Sequence, residues 1–396
     1  MPLALRIRLA VLGAATSLAA ALVAPPAAEA AAPGDHSTNA RRAQASWAAL
    51  QRWFAVPDGS GLYREQFPVA AGDGAYSYEW PFSQAHVAAL DLTGMSGAHS
   101  DAASYVDDLA AHDAAQLHYW TPASTTGLPG FASGAEPPFS SGGDLFYDDN
   151  EWVGLQDVQH YLQHGDAASL DQARQIFDLV MSGWDSDPAH ADPGGIFWTQ
   201  APWSQDRNTV SNMPAAELGL RLYSLTHEQR YLDGALRSYR WTNANLRTPE
   251  GLYYDHVDLQ GNVEKTIWSY NQGVPVGVNV LLYEVTHDKS YLQEAQRIAS
   301  AALAYYAQGG RLDAQPPFFN SIFFKNLLLL SSVKSDSAVR EALVAYADRL
   351  WTQHRDPATG LFRFGDAAGT QMIEQAAVTQ VFAVLAWSRG DWSQLY

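Results

Sequence analysis

Two adjacent aspartates, Asp148 and Asp149, are the residues of this sequence best placed to do chemistry. They lie in residues 147–152, YDDNEW, directly after residues 121–143, a long segment rich in Gly, Pro and Ser. Long loops without secondary structure of their own are usually functional. Repulsion between neighbouring carboxylates keeps one protonated while the other stays ionised. The pair therefore suits a reaction that needs both a charged nucleophile and a proton donor.

The same run could instead simply begin a helix. The pattern predicts a helix from about Glu151 to Gln163, and Asp and Asn are preferred at the N-cap position. A helix N-terminus also stabilises an ionised carboxylate. One cap needs only one acid, however, and the flanking Tyr147 and Trp152 are not required for it. Both interpretations place the acidic pair where a loop enters a helix.

A repeated helical hairpin predicts the elements that position this pair. Residues 222–235 recur as residues 282–295, 60 positions later, and a weaker copy lies at residues 161–173. In each copy the first helix is apolar on most faces, while the second alternates apolar and polar positions with helical spacing. A buried first helix and a half-exposed second helix predict two concentric layers.

Short aromatic strands are predicted in the loops that lead into the first helix of each pair. A glycine precedes an aromatic run at residues 61–63, 195–198, 251–254 and 360–362, which is a turn-then-strand pattern. Units of about 60 residues allow about six hairpins, and stacked hairpins must close or be capped. We predict an all-α fold, an (α/α)6 toroid of six helical hairpins with short β-strands in the loops at one mouth. An open solenoid is the alternative.

The first thirty residues are predicted to be a secretory signal peptide. Arg6 and Arg8 precede an apolar run at residues 9–23, and Ala28-Glu29-Ala30 supplies a small-residue cleavage site. Residues 31–396 are then predicted to form a single domain. The chain has no cysteine, so disulfides cannot stabilise it. We expect a secreted, extracellular monomer that has no contact with the membrane after signal cleavage.

Charge and composition narrow the class of partner. The formal net charge is −18, which argues against nucleic acid and anionic membrane surfaces, because phosphate binding needs clustered Lys and Arg. Aromatic residues make up 12% of the chain. Such residues can stack on sugar rings, although core packing explains them equally well.

Several ordered segments resemble a known family. The run at residues 147–152 is followed by residues 194–198 (GGIFW), 208–212 (NTVSN) and 268–273 (WSYNQG). Together they resemble glycoside hydrolase family 76, the endo-α-1,6-mannanases and their relatives. The resemblance implies a retaining mechanism on an α-mannan polysaccharide, with Asp148 as nucleophile and Asp149 as general acid/base, and with no metal or cofactor.

Other side chains are candidates for contact with the sugar, each with an alternative in packing or capping. The candidate substrate-binding residues are Trp152, Trp198, Asn212, Tyr270, Asn271 and Gln272. The sequence departs from the family at Lys325, where the family often has an arginine, and Lys cannot reproduce a bidentate Arg contact. His160 with His164, and the acidic loop around Asp185, are weak metal candidates.

Other functions remain open at this stage. A transglycosidase that remodels cell-wall mannan glycans would use the same residues with a sugar in place of water. A non-catalytic glycan-binding protein would keep the site without turnover. An isoprenoid synthase would need a second acidic magnesium motif and a basic diphosphate-binding cluster, and neither is present in the sequence.

Overall fold

The computed structural model describes residues 36–95, 105–365 and 369–396, so the predicted signal peptide lies outside the described residues. Within these ranges, six helices are buried on nearly every side and form an inner layer. Their apolar positions follow one another without a polar face, as in the helices Pro317–Val333 and Met372–Leu385, and such helices must be surrounded by protein. The inner helices are α2 (Glu79–Thr93), α4 (Tyr147–His164), α6 (Thr209–Thr226), α8 (Tyr270–Thr286), α10 (Pro317–Val333) and α12 (Met372–Leu385).

Six amphipathic helices form the outer layer. In α9, for example, Ala295, Ile298, Ala302 and Tyr306 are buried at spacings of three and four, while the opposite face meets solvent. The outer helices are α1 (His36–Phe54), α3 (Tyr105–Gln116), α5 (Ala167–Ser182), α7 (Gln229–Asn245), α9 (Lys289–Tyr306) and α11 (Ser337–Arg349).

The two layers close into an (α/α)6 toroid, as predicted, and not into an open solenoid. Each inner helix packs against the inner helices on either side, and α12 completes the circle by packing against both α10 and α2. Five hairpins are consecutive in the chain. The sixth is assembled from opposite ends of the chain, because α12 packs on α1. The predicted number of six hairpins is confirmed, with the sixth hairpin formed by the two ends of the chain.

In the part of the chain that the structure describes, seven short strands lie in the loops that enter the inner helices, at the mouth of the ring. Their order in the chain places each one between an outer helix and the next inner helix. The prediction of short strands at one mouth is confirmed. They form three antiparallel sheets: β1 (Gln66–Phe67) with β7 (Thr370–Gln371), β2 (Trp120–Thr121) with β3 (Gly130–Phe131), and β4 (Asp206–Asn208) with β5 (His256–Asp258) and β6 (Val263–Glu264).

The interior of the ring contains polar side chains that pair with one another. Lys325 is buried on α10, its Nζ lies 2.8 Å from Oδ2 of Asp91 on α2, and it lies over the ring of Tyr396. This lysine forms an ion pair inside the ring. The replacement of the family's arginine by Lys325 therefore changes contacts within the ring interior and not a contact with sugar.

No helix in the described residues is both long and apolar enough to cross a bilayer. Residues from Pro33 onward form one compact unit. The boundary between residues 30 and 31 stays a prediction.

Gly273 tests how tightly the inner helices pack. A Cβ atom at Gly273 of α8 would lie 2.6 Å from the Cα of Phe323 on α10, and backbone cannot yield as a side chain can. We expect Gly273→Ala to lower the free energy of unfolding by about 2 kcal/mol or more and the melting temperature by roughly 3 °C.

The matched control is Gly390→Ala, where the nearest atom, Oγ of Ser388, would be 3.8 Å from the new Cβ. Thermal unfolding followed by circular dichroism measures both variants. Equal melting temperatures for the two variants would contradict the close approach of α8 and α10.

Candidate active site

The aspartate pair lies in the first turn of α4, which begins at Tyr147 and not at the predicted Glu151. The N-cap residue is Phe146, and its side chain forms no capping hydrogen bond. The interpretation that these acids merely cap the helix is therefore wrong. Asp148 and Asp149 instead line a cavity at the mouth of the ring.

Side-chain amides near the start of the inner helices hold the preceding loops in place. Asn150 accepts a hydrogen bond from the N–H of Phe131 at 2.8 Å, and its own N–H donates to the Phe131 carbonyl at 2.9 Å. A buried backbone group without a partner is costly, so this pairing fixes the loop on the helix. We call this arrangement an amide clamp. It recurs in the pairs Asn212–Ile196 and Gln272–Tyr253.

The cavity that contains the two aspartates has a volume of about 360 Å³. Aromatic faces with a few polar groups among them are typical of sites for small molecules and sugar units. The cavity is lined by five aromatic residues, Trp80, Trp198, Trp268, Tyr270 and Phe319, and by Asp148, Asp149, Asp206, Asn208, Val210, Asp255 and His256.

Aromatic side chains from three inner-helix entries form one continuous wall of the cavity. Tyr270 stacks on Phe319 with ring centroids 3.9 Å apart and planes inclined by 6°. Trp268 and Trp80 also contact Phe319, with centroid distances of 5.4 and 6.2 Å. Two of the sugar contacts predicted from the sequence, Tyr270 and Trp198, thus have rings at the cavity surface.

Asp148 is almost completely buried and has one side-chain donor. The indole N–H of Trp198 donates to its Oδ2 at 3.1 Å, while Oδ1 has no partner among the described residues. Burial raises the pKa of Asp148 to about 7, although bonds from Trp198 and the backbone lower it; the charge of Asp206 raises it further. Burial therefore outweighs both the indole bond and the favourable end of the helix dipole.

Asp149 is half-buried and lines the cavity, and its pKa is raised well above that of an ordinary aspartate. Burial is the largest cause, and the charges of Asp148 and Glu79 add to it. The pair therefore loses its first proton mainly from Asp148, because only Asp148 has an indole donor that stabilises the ionised form. Near neutrality the two side chains act as one carboxylate and one carboxylic acid.

Four polar residues of the cavity were not singled out from the sequence. Asp206 and Asn208 belong to β4, and His256 opens β5 directly after Asp255. Asn208 donates to Asp206 at 3.2 Å, and Nδ1 of His256 lies 3.1 Å from Oδ2 of Asp255, which raises the pKa of His256. Only the antiparallel pairing of β4 with β5 brings them together. Asn208 alone had a signal, as the first residue of the NTVSN segment.

Asn271, which was predicted to contact the sugar, does not line the cavity and instead contacts a residue that does. Asn271 is buried, and its amide N–H donates to Oδ1 of Asp255 at 3.4 Å. Asp255 in turn lines the cavity beside His256. Asn271 is therefore a positioning residue for Asp255.

Three further predictions of sugar contact are corrected by the structure. Trp152 is 1% exposed, does not line the cavity, and packs between Tyr270 and Tyr396. Asn212 and Gln272 are fully buried, and their amides are occupied by the backbone in the amide clamps. All three hold the scaffold of the site together.

Neither metal candidate of the sequence has the surroundings of a metal centre in the described residues, where no group of three or more potential ligands is suitably arranged. Asp185 pairs with Arg207 at 2.5 Å and with His190 at 3.0 Å. His160 bonds to Ser169 at 3.2 Å. These acids and histidines serve local ion pairs and hydrogen bonds.

Comparison with known proteins agrees with the resemblance seen in the sequence. Residues 131–386, more than half of the chain, match the model of glycosyl hydrolase family 76. The matched range includes the aspartate pair and the segments NTVSN and WSYNQG.

Curated relatives are similar over part of their length. The mannan endo-1,6-alpha-mannosidase DCW1 of Saccharomyces cerevisiae is 27% identical over 146 residues, which are 35% of this chain and 32% of that protein. A putative mannan endo-1,6-alpha-mannosidase of Schizosaccharomyces pombe is 26% identical over 193 residues, 45% of this chain and 43% of that protein. The chain thus spans about a third of the length of the first of these relatives.

Solved structures share the fold. A family 76 glycoside hydrolase from a bovine Bacteroides thetaiotaomicron strain superposes with a TM-score of 0.77 at 24% identity, over 88% of this chain and 77% of that one. An inactive variant of an α-1,6-mannanase of Salegentibacter sp. HEL1_6, in complex with α-1,6-mannotriose, superposes with a TM-score of 0.69 at 18% identity, over 88% and 99%.

Alanine variants of Asn212 and Asn208 can distinguish a residue of an amide clamp from a residue that lines the cavity. Asn212→Ala leaves the buried N–H and carbonyl of Ile196 without side-chain partners, so we expect a loss of about 2 kcal/mol or more in the free energy of unfolding. Because Asn212 does not line the cavity, ligand affinity of the folded protein should stay close to that of the wild type. Urea unfolding and calorimetric titration measure the two quantities.

Asn208→Ala is the matched variant and should behave in the opposite way. Asn208 lines the cavity, so its loss should weaken ligand binding more than it lowers stability. An Asn212→Ala protein of normal stability with weakened binding would return Asn212 to the list of sugar contacts.

Proposed function

This chain belongs to glycosyl hydrolase family 76, and from that premise we propose that it is a secreted glycoside hydrolase that cleaves α-1,6-mannosidic linkages in a mannan-type polysaccharide. The observation that supports the proposal most is the pair Asp148 and Asp149 in an aromatic cavity, where burial raises the pKa of both acids and Trp198 donates a hydrogen bond to Asp148 alone. This difference in hydrogen bonding favours the ionised form of Asp148 and the protonated form of Asp149, so that one site contains both a carboxylate and a proton donor.

In the proposed reaction, Asp148 attacks the anomeric carbon while Asp149 donates its proton to the glycosidic oxygen. The glycosidic C–O bond breaks, the leaving sugar departs with the new hydroxyl, and a glycosyl ester forms on Asp148. Asp149, now ionised, takes a proton from a water molecule whose oxygen attacks the same carbon. The ester bond breaks and Asp148 is released as a carboxylate. Two inversions at one carbon retain its configuration.

The hydrogen bond from Trp198 supports the role of Asp148 in this scheme. A nucleophile must be ionised, and an N–H donor stabilises the ionised form over the protonated one. Asp149 lacks such a side-chain donor among the described residues and lies beside two further acids, Asp148 and Glu79. It therefore holds its proton more tightly, as a general acid must.

The choice of α-1,6-mannan rests on relatives and on the character of the cavity. Curated relatives are named as mannan endo-1,6-alpha-mannosidases, and a neighbour of the same fold binds α-1,6-mannotriose. Aromatic faces and acceptor side chains suit a neutral sugar, whose hydroxyls donate hydrogen bonds and whose C–H faces pack on rings. The net charge of −18 disfavours anionic polymers.

Export is part of the same proposal. The basic, apolar and small-residue segments of residues 1–30 support a signal peptide. A polysaccharide is too large to cross a membrane intact, so the enzyme must meet it outside the cytoplasm. N-terminal sequencing of the protein recovered from culture medium tests this part, since a retained leader would contradict it.

Asp148→Asn and Asp149→Asn are each expected to lower turnover of α-1,6-mannan by about 10³-fold or more, because each removes one member of the acid and nucleophile pair. Release of reducing ends measures turnover. The matched control is Asp157→Asn on the same helix, which is also buried but lies outside the cavity. Burial raises the pKa of Asp157, so a neutral amide of the same shape replaces a protonated acid, and we expect near-normal turnover.

Several outcomes would contradict the proposal in different ways. Near-normal turnover by Asp148→Asn would remove Asp148 as the nucleophile. An inverted first product, detected by NMR during hydrolysis, would remove the retaining mechanism. Wild type that binds mannan but releases no sugar would indicate a glycan-binding protein, and sugar transferred to an added acceptor in preference to water would indicate a transglycosidase.

The pH profile of kcat/KM should have an acidic limb near pH 7 in the wild type. Activity needs Asp148 ionised, so it rises as the pH increases through a pKa of about 7 and falls again when Asp149 loses its proton. Trp198→Phe removes the indole donor that lowers the pKa of Asp148. We expect the acidic limb of this variant to move to higher pH by about one unit. An unmoved limb would separate Trp198 from the ionisation of the nucleophile.

A further inference from the structure

A ladder of two backbone hydrogen bonds joins the segment before the catalytic pair to the segment that follows Trp198. The N–H of Tyr147 donates to the carbonyl of Trp198 at 2.8 Å, and the N–H of Gln200 donates to the carbonyl of Leu145 at 3.0 Å. The segment before α4 and the segment after Trp198 are thereby held side by side. Residues that follow Gln200 are therefore connected to the helix entry that contains the catalytic acids.

An exposed tryptophan lies at the outer end of the ladder. Trp203 is 53% exposed, yet its ring is held at three points. Its indole N–H donates to Oδ2 of Asp144 at 3.3 Å, and its ring meets Trp198 at 5.9 Å and Phe146 at 6.0 Å between centroids. Trp198 is the residue that donates to Asp148. One aromatic ring therefore separates the exposed tryptophan from the proposed nucleophile.

A second cavity of about 240 Å³ lies beside Trp203 and is lined by polar side chains of the long loop and of the ladder. Its donors and acceptors are already ordered: Thr125 donates to Gln200 at 2.7 Å, and Gln200 donates to Ser124 at 3.1 Å. Asp144 links the two features, since it lines this cavity and also holds the indole of Trp203.

We propose that Trp203 and this second cavity form a distal subsite, which binds a further sugar unit of the same polysaccharide whose linkage is cut at Asp148 and Asp149. The inference rests on the proposed function. Hydroxyl and amide groups match the hydroxyls of a neutral sugar, and an exposed indole offers an apolar face for its C–H groups. The continuity from Trp203 through Trp198 to Asp148 places the subsite along the substrate chain.

A distal subsite makes the enzyme sensitive to chain length. A long mannan can occupy both cavities at once, whereas a short oligosaccharide that fills the catalytic cavity leaves Trp203 unused. Binding energy from the remote unit then favours the cleavage of long chains over short ones. The subsite therefore predicts a higher kcat/KM for long chains than for short oligosaccharides.

The test compares α-1,6-mannotriose, α-1,6-mannohexaose and the polymer as substrates. We expect Trp203→Ala to lower kcat/KM for the hexaose, relative to the triose, by about tenfold. Trp203→Phe keeps an aromatic face and loses only the N–H, so it should keep most of the length preference. Leu162→Ala, an exposed apolar change near the opposite end of α4, is the surface control and should match the wild type on every substrate.

The outcomes separate this inference from the proposed function. Wild type that cleaves none of the three substrates contradicts the function itself. Active wild type together with Trp203→Ala that has an unchanged length ratio overturns the subsite alone. Equal losses in Trp203→Ala and Trp203→Phe would also overturn it, because they would assign the residue to holding the loop through Asp144.

A second variant keeps the test valid if Trp203→Ala folds poorly. Gln200→Ala, in the half-buried polar lining of the second cavity, should produce the same length-selective loss. Calorimetric titration of mannohexaose into the Asp149→Asn protein, with and without the Gln200 change, measures the effect on binding apart from turnover. Identical affinities in the two proteins would contradict the subsite.

Discussion

The burial of two adjacent carboxyl groups at the mouth of a helical ring is the constraint on which the rest of the site depends. Each inner helix begins at this mouth, and Asp148 and Asp149 occupy the first turn of α4, where a helix dipole would lower their pKa values. Burial has the larger effect and raises both. The indole N–H of Trp198, together with backbone N–H groups, bonds to Asp148 and so distinguishes it from Asp149. The proposed division into nucleophile and acid follows from that asymmetry.

The packing of the toroid holds these two buried carboxyl groups in place. The inner ring closes where α12 packs against both α10 and α2, and α1 from the opposite end of the chain covers α12. Amide clamps, such as Asn150 on Phe131, tie three of the loops to their inner helices. Loops fixed in this way can present acids and aromatic rings to a cavity without moving apart.

Much of the fold and part of the site could be predicted, because their signals are local. The hairpin repeat at residues 222–235 and 282–295 reports which helix faces are buried, and this led to the two layers and the closed ring. The aspartate pair and Trp198 lie in short recognisable runs. Asn212 and Gln272 lie in equally recognisable runs, but a motif cannot tell a sugar contact from a backbone clamp. An amide that binds sugar and an amide that binds backbone have the same donor and acceptor groups, and they differ only in their partners.

The sequence by itself therefore determined the helical period, the order of the layers and the acidic pair at a helix entry. Tertiary structure decided what surrounds that pair: Asp206 and Asp255 reach the cavity through the pairing of β4 with β5, and Trp203 comes beside Trp198 through a ladder between distant segments. Periodicity and capping depend on neighbours along the chain, whereas burial, and the pKa values that it sets, depend on residues that meet only after the ring has closed.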